Sequence, residues 1–281
     1  MKNMVRNPNK KPLYFTILID LKGSRTNFKS QAATSEFIAY FLQQLNGTFI
    51  SRLGDARFNQ KDGDAIMIVL QEGMEEQVFK IYQFCNSLVY RPKFKEFYST
   101  KLLPNKSLKF YFSIGVGSVD TNLEQLNNVD VVNGTSVSRA TEGVAIAKMI
   151  CQNELPDSFN FKKSPFKLFI NTTTSLGIQM NADSVMGLFY LLYEKILNTQ
   201  AKRLGYALLY PERKMSNIDL ARELATEYKK PAYDVNYEDA TQRAQVSSKV
   251  SVMLSPVKKE PIETIQNAIV NGLVNVRKEL S

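Results

Sequence analysis

Leu13-Tyr-Phe-Thr-Ile-Leu-Ile-Asp20-Leu-Lys-Gly-Ser-Arg25 opens with seven residues, six of them apolar or aromatic, that run into a carboxylate and then a turn of Gly23 and Ser24. A second stretch, Lys61-Asp-Gly-Asp64-Ala-Ile-Met-Ile-Val-Leu70, sets an acid at the head of another apolar run. Asp62-Gly63 is a strong type I′ hairpin signal, because both central residues of that turn need positive φ. The two runs are nearly continuous rather than alternating, as strands covered on both faces are. If they pair antiparallel, the end of the first lies beside the start of the second, and Asp20 meets Asp64. Two converging carboxylates can hold Mg²⁺ or Mn²⁺ on the phosphates of a nucleotide.

The chain of 281 residues contains no histidine, which excludes a histidine base or nucleophile and the common zinc sites. Catalysis would have to use carboxylates, Lys, Arg, hydroxyls or a metal held by oxygen. Cys85 and Cys151 lack metal-site spacing and read as buried thiols of a reducing compartment. No apolar run reaches the length of a membrane span, and the polar segment from Met1 to Lys11 lacks a signal-peptide core, so a cytoplasmic protein with no membrane partner is expected.

The net charge of +9 is uneven: residues 1 to 180 carry 22 basic against 15 acidic side chains, and the remainder 14 against 12. One cluster, Arg91, Lys93, Lys95, Lys101, Lys106 and Lys109, is interleaved with Phe94, Phe97 and Tyr98 and holds a single acid, Glu96. Such a segment reads either as a contact for nucleic acid or triphosphate or as a solvated loop.

Around the two acidic strands the periodicity predicts helices over 30–45, 74–90 and 135–150, and strands over 108–119 and 166–171. The order β-α-β-β-α-β-α-β is that of an α+β, ferredoxin-like or palm antiparallel sheet with helices on one face. Leu21, Lys22, Gly23, Ser24 and Arg25 follow the first strand, where backbone N–H groups can receive phosphate, and Lys61 and Arg139 are further phosphate candidates. Gly115 and Gly117, on alternate positions of one strand, admit either a ligand or a closely packed helix.

The rhythm changes near residue 180, which divides the chain into 1–179 and an all-helical 180–281, with helices expected over 183–206, 216–228, 240–254 and 260–278. The two middle helices have the look of a helix-turn-helix, with Gln245, Ser247, Ser248, Lys249 and Ser251 as polar readers of DNA. The longer acidic connection, Tyr228 to Asp239, departs from that motif, and a packing or dimerisation module is the other reading.

Ile19-Asp20-Leu-Lys-Gly-Ser-Arg25, Gly63-Asp64, Ser113-Ile-Gly-Val-Gly117, Gly134, Arg139-Ala-Thr-Glu142, Thr199-Gln200, Ala221-Arg-Glu-Leu-Ala225 and Val246-Ser-Ser-Lys249 together resemble the SatD family over nearly the whole chain. More remotely, the first 180 residues resemble the palm of class III nucleotidyl cyclases and GGDEF-type diguanylate cyclases. That resemblance implies metal ligands at Asp20 and Asp64, phosphates on Leu21 to Ser24, a nucleoside triphosphate or other nucleotide as ligand, and a homodimer. It also shows departures, since Ser138 and Glu142 stand where an Asn and an Arg are expected and the hairpin reads Gly-Asp-Ala. Three readings follow. The first is a regulator that binds a nucleotide with metal and signals through a DNA-binding helix-turn-helix. The second is an active cyclase or nucleotidyltransferase. The third is a DNA-binding or scaffolding dimer with no ligand.

Overall fold

The computed structural model describes residues 11–151, 161, 164–172, 176–209, 216–255, 257 and 260–281. The polar segment before Lys11 and the side chain of Cys151 therefore lie outside the described residues.

Strand β1 (Tyr14–Leu21) is buried along its whole length at the centre of a five-stranded sheet. It is flanked by β3 (Ala65–Gln71) and β4 (Phe110–Gly117), with β2 (Asn59–Lys61) and β5 (Phe166–Asn171) at the edges. The order β2-β3-β1-β4 with every neighbour antiparallel is the ferredoxin-like arrangement. β5 adds to β4 in parallel, which makes the sheet mixed where an antiparallel one was expected. The cause is the crossover helix α5 (Thr135–Cys151), which carries the chain back so that β5 starts at the same end as β4.

Helices cover both faces of the sheet rather than one. The file Phe15, Ile17, Ile19 and Leu21 of β1 packs with Phe112, Ile114 and Val116 of β4 against α2 (Gln31–Phe49) and α3 (Glu75–Leu88). The alternate file, with Leu18, Met67, Val69 and Tyr111, packs against Val137, Ala140, Val144 and Ala147 of α5. A one-sided sheet would leave that second file in water at about 1.5–3 kcal/mol per large side chain. Its apolar character requires α5.

Local chemistry explains the individual elements. A short helix α1 (Ser24–Asn27) follows the left-handed Gly23, and the Ser30 side chain caps α2 by accepting from Ala33 N. Both Asp62 and Gly63 take positive φ, as the hairpin signal requires, although the loop holds three residues before Ala65 pairs with Lys61. The first part of the basic segment is not a loop: it forms α4 (Pro92–Lys101), with Pro92 in the first turn and Phe94 buried against Phe37 and Phe41 of α2, while 102–109 is irregular.

Beyond β5 the chain forms α6 (Leu176–Tyr190), a π-turn (Leu191–Ile196), α7 (Gln200–Leu209), α8 (Asn217–Thr226), α9 (Ala240–Leu254) and α10 (Glu260–Leu280). The helix expected over 183–206 is thus two helices. The break falls at 197–199, where the Thr199 hydroxyl accepts from Lys202 N and starts α7 afresh. These helices share one hydrophobic core with the sheet, continuous from Phe15 to Val276. The buried Glu75 of α3 is paired with Arg277 of α10, which pins the last helix to the layer beneath the sheet.

The two strand glycines serve helix packing. A Cβ at Gly115 would lie 2.1 Å from Ser136 O and 2.4 Å from Ala140 N, and one at Gly143 of α5 would lie 2.1 Å from Ser113 Oγ. Backbone atoms cannot rotate aside. Gly115→Ala is therefore expected to destabilise the fold by at least the ~1–3 kcal/mol typical of overpacking, read as a lower midpoint in urea unfolding. Gly54→Ala, whose Cβ would meet nothing within 4 Å but whose φ is positive, should cost less.

Candidate functional site

The strand registers place five residues in one row across the sheet. Asp20 lies opposite Ala65 on one side and Tyr111 on the other; Ala65 lies opposite Lys61, and Tyr111 opposite Lys167. Side chains of directly paired residues share a face, so Lys61, Asp20, Tyr111 and Lys167 all face α5. At about 4.8 Å per strand, the two lysines stand about 10 Å to either side of Asp20.

Asp20 is 8% exposed. Its carboxylate is paired with the ammonium group of Lys148, which reaches down from the last turn of α5. The Lys148 Nζ also lies 5.6 Å from the centre of the Tyr111 ring, and Lys22 Nζ lies 5.7 Å from it, so two cations share one aromatic ring beside the acid. Asp64 is half-buried at the hairpin mouth, where its carbonyl accepts from Leu21 N at 3.3 Å. Its charge is near enough to oppose ionisation of Asp20.

Burial is the largest influence on Asp20 and pushes its carboxyl above the ordinary 3.8; the Lys148 ammonium and the Leu21 amide pull it back without cancelling the rise, and Asp64 adds to it.

The turn after β1 is held in shape by its own hydrogen bonds. Gly23 adopts φ +69°, and Asn27 N and Thr26 N bond back to its carbonyl. The Asn27 side chain holds Lys22 O at 3.2 Å, and Thr34 Oγ1 holds Ser24 O at 3.1 Å. Leu21 points into the core, Gly23 and Ser24 are half-buried, and Arg25 is exposed. Leu21 to Arg25 therefore leave the sheet at the Asp20 end, as the expected phosphate cradle requires. Lys61 also belongs to this end, with its Nζ 4.0 Å from Met67 Sδ.

Arg139 does not. It bonds to Val116 O beside Gly117, and Gly117 pairs with Tyr14, six residues before Asp20 and about 20 Å away along β1. The reason is direction: α5 starts at the far end of β4 and runs back along the sheet. The α5 cation at the acidic end is Lys148, nine residues and about 13 Å further along the helix. Neither Lys148 nor Lys167 was singled out in the sequence. Lys148 was detectable, since it continues the stripe of Val137, Ala140 and Val144 one turn onward and a crossover helix must end where β5 begins.

Among the described residues no three His, Cys, Asp or Glu side chains gather as a metal cage. The pair Asp20 and Asp64 still fits Mg²⁺ or Mn²⁺ in the usual nucleotide manner, in which one or two carboxylates suffice and phosphates and water complete the shell. Cys85 is fully buried and its thiol is pushed up by desolvation, so it has no part in this chemistry.

The expected helix pair of the C-terminal part is present. Leu220, Ala221 and Leu224 of α8 and Val246, Val250 and Leu254 of α9 are buried, and Gln245, Ser248, Lys249 and Ser251 are exposed. Ser247 is half-buried, its carbonyl receiving Asn217 Nδ2 at 3.4 Å. No helix among the described residues is long and apolar enough to cross a membrane. No protein-family model matches the chain, and no curated protein matches it.

The raised carboxyl of Asp20 makes a prediction with a defined sign. Its folded value lies above 3.8, so the folded state binds the extra proton; stability falls as pH rises from 3.8 through the folded value and is level beyond it. Asp20→Asn should therefore raise the thermal midpoint at pH 7, with the gain disappearing below pH 3.8. A variant less stable than the wild type at pH 7 would mean that the Lys148 pair outweighs the burial.

Proposed function

We propose that the Asp20 end of the sheet binds a nucleotide through its phosphates, with Mg²⁺ or Mn²⁺, and that the protein is a nucleotide-responsive regulator rather than a turnover enzyme. The observation that carries this reading is the convergence of two carboxylates and four lysines on one end: Asp20 and Asp64 with Lys22, Lys61, Lys148 and Lys167. The set is cationic on balance, as a polyphosphate site should be, yet retains the two acids that a metal needs.

The residues divide the work. Asp20 and Asp64 would hold the metal, which supplies charge neutralisation on the phosphate oxygens. Gly23 and Ser24 would offer backbone N–H groups in a half-buried turn flanked by the Thr26 and Asn27 side chains. Lys22 and Lys148 start as partners of Tyr111 and Asp20 and can transfer to phosphate, so that charges buried in the resting site are not left unpaired when the ligand enters. Tyr111 supplies an apolar face between the two lysines.

Binding without turnover is favoured by what the site lacks. Ser138 and Glu142 replace the groups expected to stabilise a cyclisation transition state, and Arg139 is turned to the opposite end of the sheet. Loss of one such donor typically costs 100- to 1,000-fold, so two absences leave little rate.

Calorimetric titration of the four nucleoside triphosphates with Mg²⁺ or Mn²⁺ tests the proposal. One of them should bind only with metal, Asp64→Asn should abolish the metal-dependent part, and Lys148→Met should weaken affinity by about 10- to 100-fold, the worth of a charge-assisted hydrogen bond. Mass spectrometry of the same mixtures should return unchanged triphosphate. A cyclic or linked product would establish an enzyme instead, and binding indifferent to Asp64→Asn would place the nucleotide elsewhere.

A further inference from the structure

A second cationic feature lies apart from the sheet-end row. A groove of about 1510 Å³ runs between α4 with the segment that follows it, 102–109, and the C-terminal helices. Lys95, Lys106 and Lys109 stand on one wall with Lys29 near them, Lys230 and Lys249 on the other, and the lining includes no carboxylate among the described residues. All six lysines are exposed. The acids of the connection before α9, Asp234, Glu238 and Asp239, are not part of the lining, and Glu227 is turned to Lys93.

Between the lysines the walls are apolar and aromatic. Tyr98, Tyr228 and Tyr233 are half-buried in the lining, while Leu103 and Val252 are 38% and 70% exposed. The volume exceeds the ~300–1,000 Å³ of ordinary small-molecule sites. A long basic groove with interleaved aromatic and apolar surface is the chemistry of a polymer that carries regular phosphates and flat bases.

We propose that this groove binds single-stranded nucleic acid. In this reading α9 serves a single strand rather than a duplex, whose major groove, about 12 Å wide, a recognition helix enters by protruding. Here Ser248, Lys249 and Val252 of α9 form a wall that faces the basic wall built from α4 and 102–109. The charges converge inward on a strand lying between the walls, and the tyrosines and Val252 offer surface on which unpaired bases stack. The proposal uses none of the residues of the sheet-end site and stands independently of the nucleotide reading.

Fluorescence anisotropy of the full chain with labelled 15-mers, oligo-dT, oligo-rU and a 15-bp duplex, tests it. A single strand should bind more tightly than the duplex, with log K falling against log salt at a slope of about −4 if all six lysines meet phosphate. The triple variant Lys106→Glu, Lys109→Glu, Lys249→Glu changes only exposed side chains, and its fold is checked by circular dichroism. It should lose affinity on the order of 100-fold and flatten the slope by about 2. Lys278→Glu, the same charge change on exposed α10 surface, should bind within about twofold of the wild type. Asp64→Asn should retain strand binding whether or not it binds triphosphate. Equal or tighter binding of the duplex, affinity unmoved by the triple variant, loss of strand binding in Asp64→Asn, or no binding of any oligonucleotide at low salt would overturn the proposal.

Discussion

The arrangement of the sheet-end site depends on how closely α5 lies on β4. The α5-facing file of β4 reads Tyr111, Ser113, Gly115, Gly117, shrinking to nothing where the helix begins, and Gly143 repeats the device on the helix itself. Contact at these positions is backbone to backbone or nearly so, which sets the line of the helix within narrow limits. From that constraint the rest follows. The Thr16 hydroxyl reaches Ser136 Oγ at 2.9 Å near the start of α5, and Lys148 arrives over Asp20 near its end. Tyr111, the large residue of the file, fills the wider end and becomes the surface on which two ammonium groups rest.

That geometry also decides what the acids can do. A carboxylate as buried as Asp20 carries a desolvation cost that a single lysine offsets only in part, so its carboxyl stands above its ordinary value. The neighbouring charge of Asp64 increases the cost. A buried acid beside a second carboxylate is a donor set of the kind a divalent ion takes, and lysines around it suit phosphate. In the function proposed above, one ligand, a nucleotide with its metal, would relieve both conditions together.

Much of this was legible in the sequence because it is local or periodic. The two apolar runs, the Asp62-Gly63 turn and the antiparallel pairing they imply were enough to bring Asp20 and Asp64 to one end of one sheet. The near-continuous character of those runs also contained the answer to a point first read otherwise: strands apolar on both faces need helices on both faces. What was not legible depends on direction and on distance in the chain. The sense in which α5 crosses the sheet decides between Arg139 and Lys148, and a motif anchored on Gly134 and Arg139 pointed to the wrong end. Lys167 enters the row only through the parallel register of β5. The basic groove draws on residues from Lys29 to Val252, and no window of sequence shows that Lys109 and Lys249 line the same opening. The conversion of the basic segment from expected loop to helix α4 turned on tertiary contacts, since Phe94 finds its partners in α2.

The two sites are joined by backbone. The segment after β1 that would cradle phosphate is hydrogen-bonded to the segment that forms one wall of the groove. Lys22 N donates to Lys109 O at 2.9 Å, Leu103 N to Asn27 O at 2.9 Å, and Lys29 N to Lys101 O at 3.0 Å, with Phe28 bridged to Leu102. A phosphate drawing on the amides of Gly23 and Ser24 acts on residues whose immediate neighbours hold Lys101, Leu103 and Lys109 in place. Phe28 and Leu102, which bridge the two segments, are both buried in the core. In the regulator proposed above, a path from ligand to surface would run through these contacts. One short loop is laid against another here, and α2, capped at Ser30 immediately after it, is tied to the same turn, since Thr34 Oγ1 donates to Ser24 O at 3.1 Å.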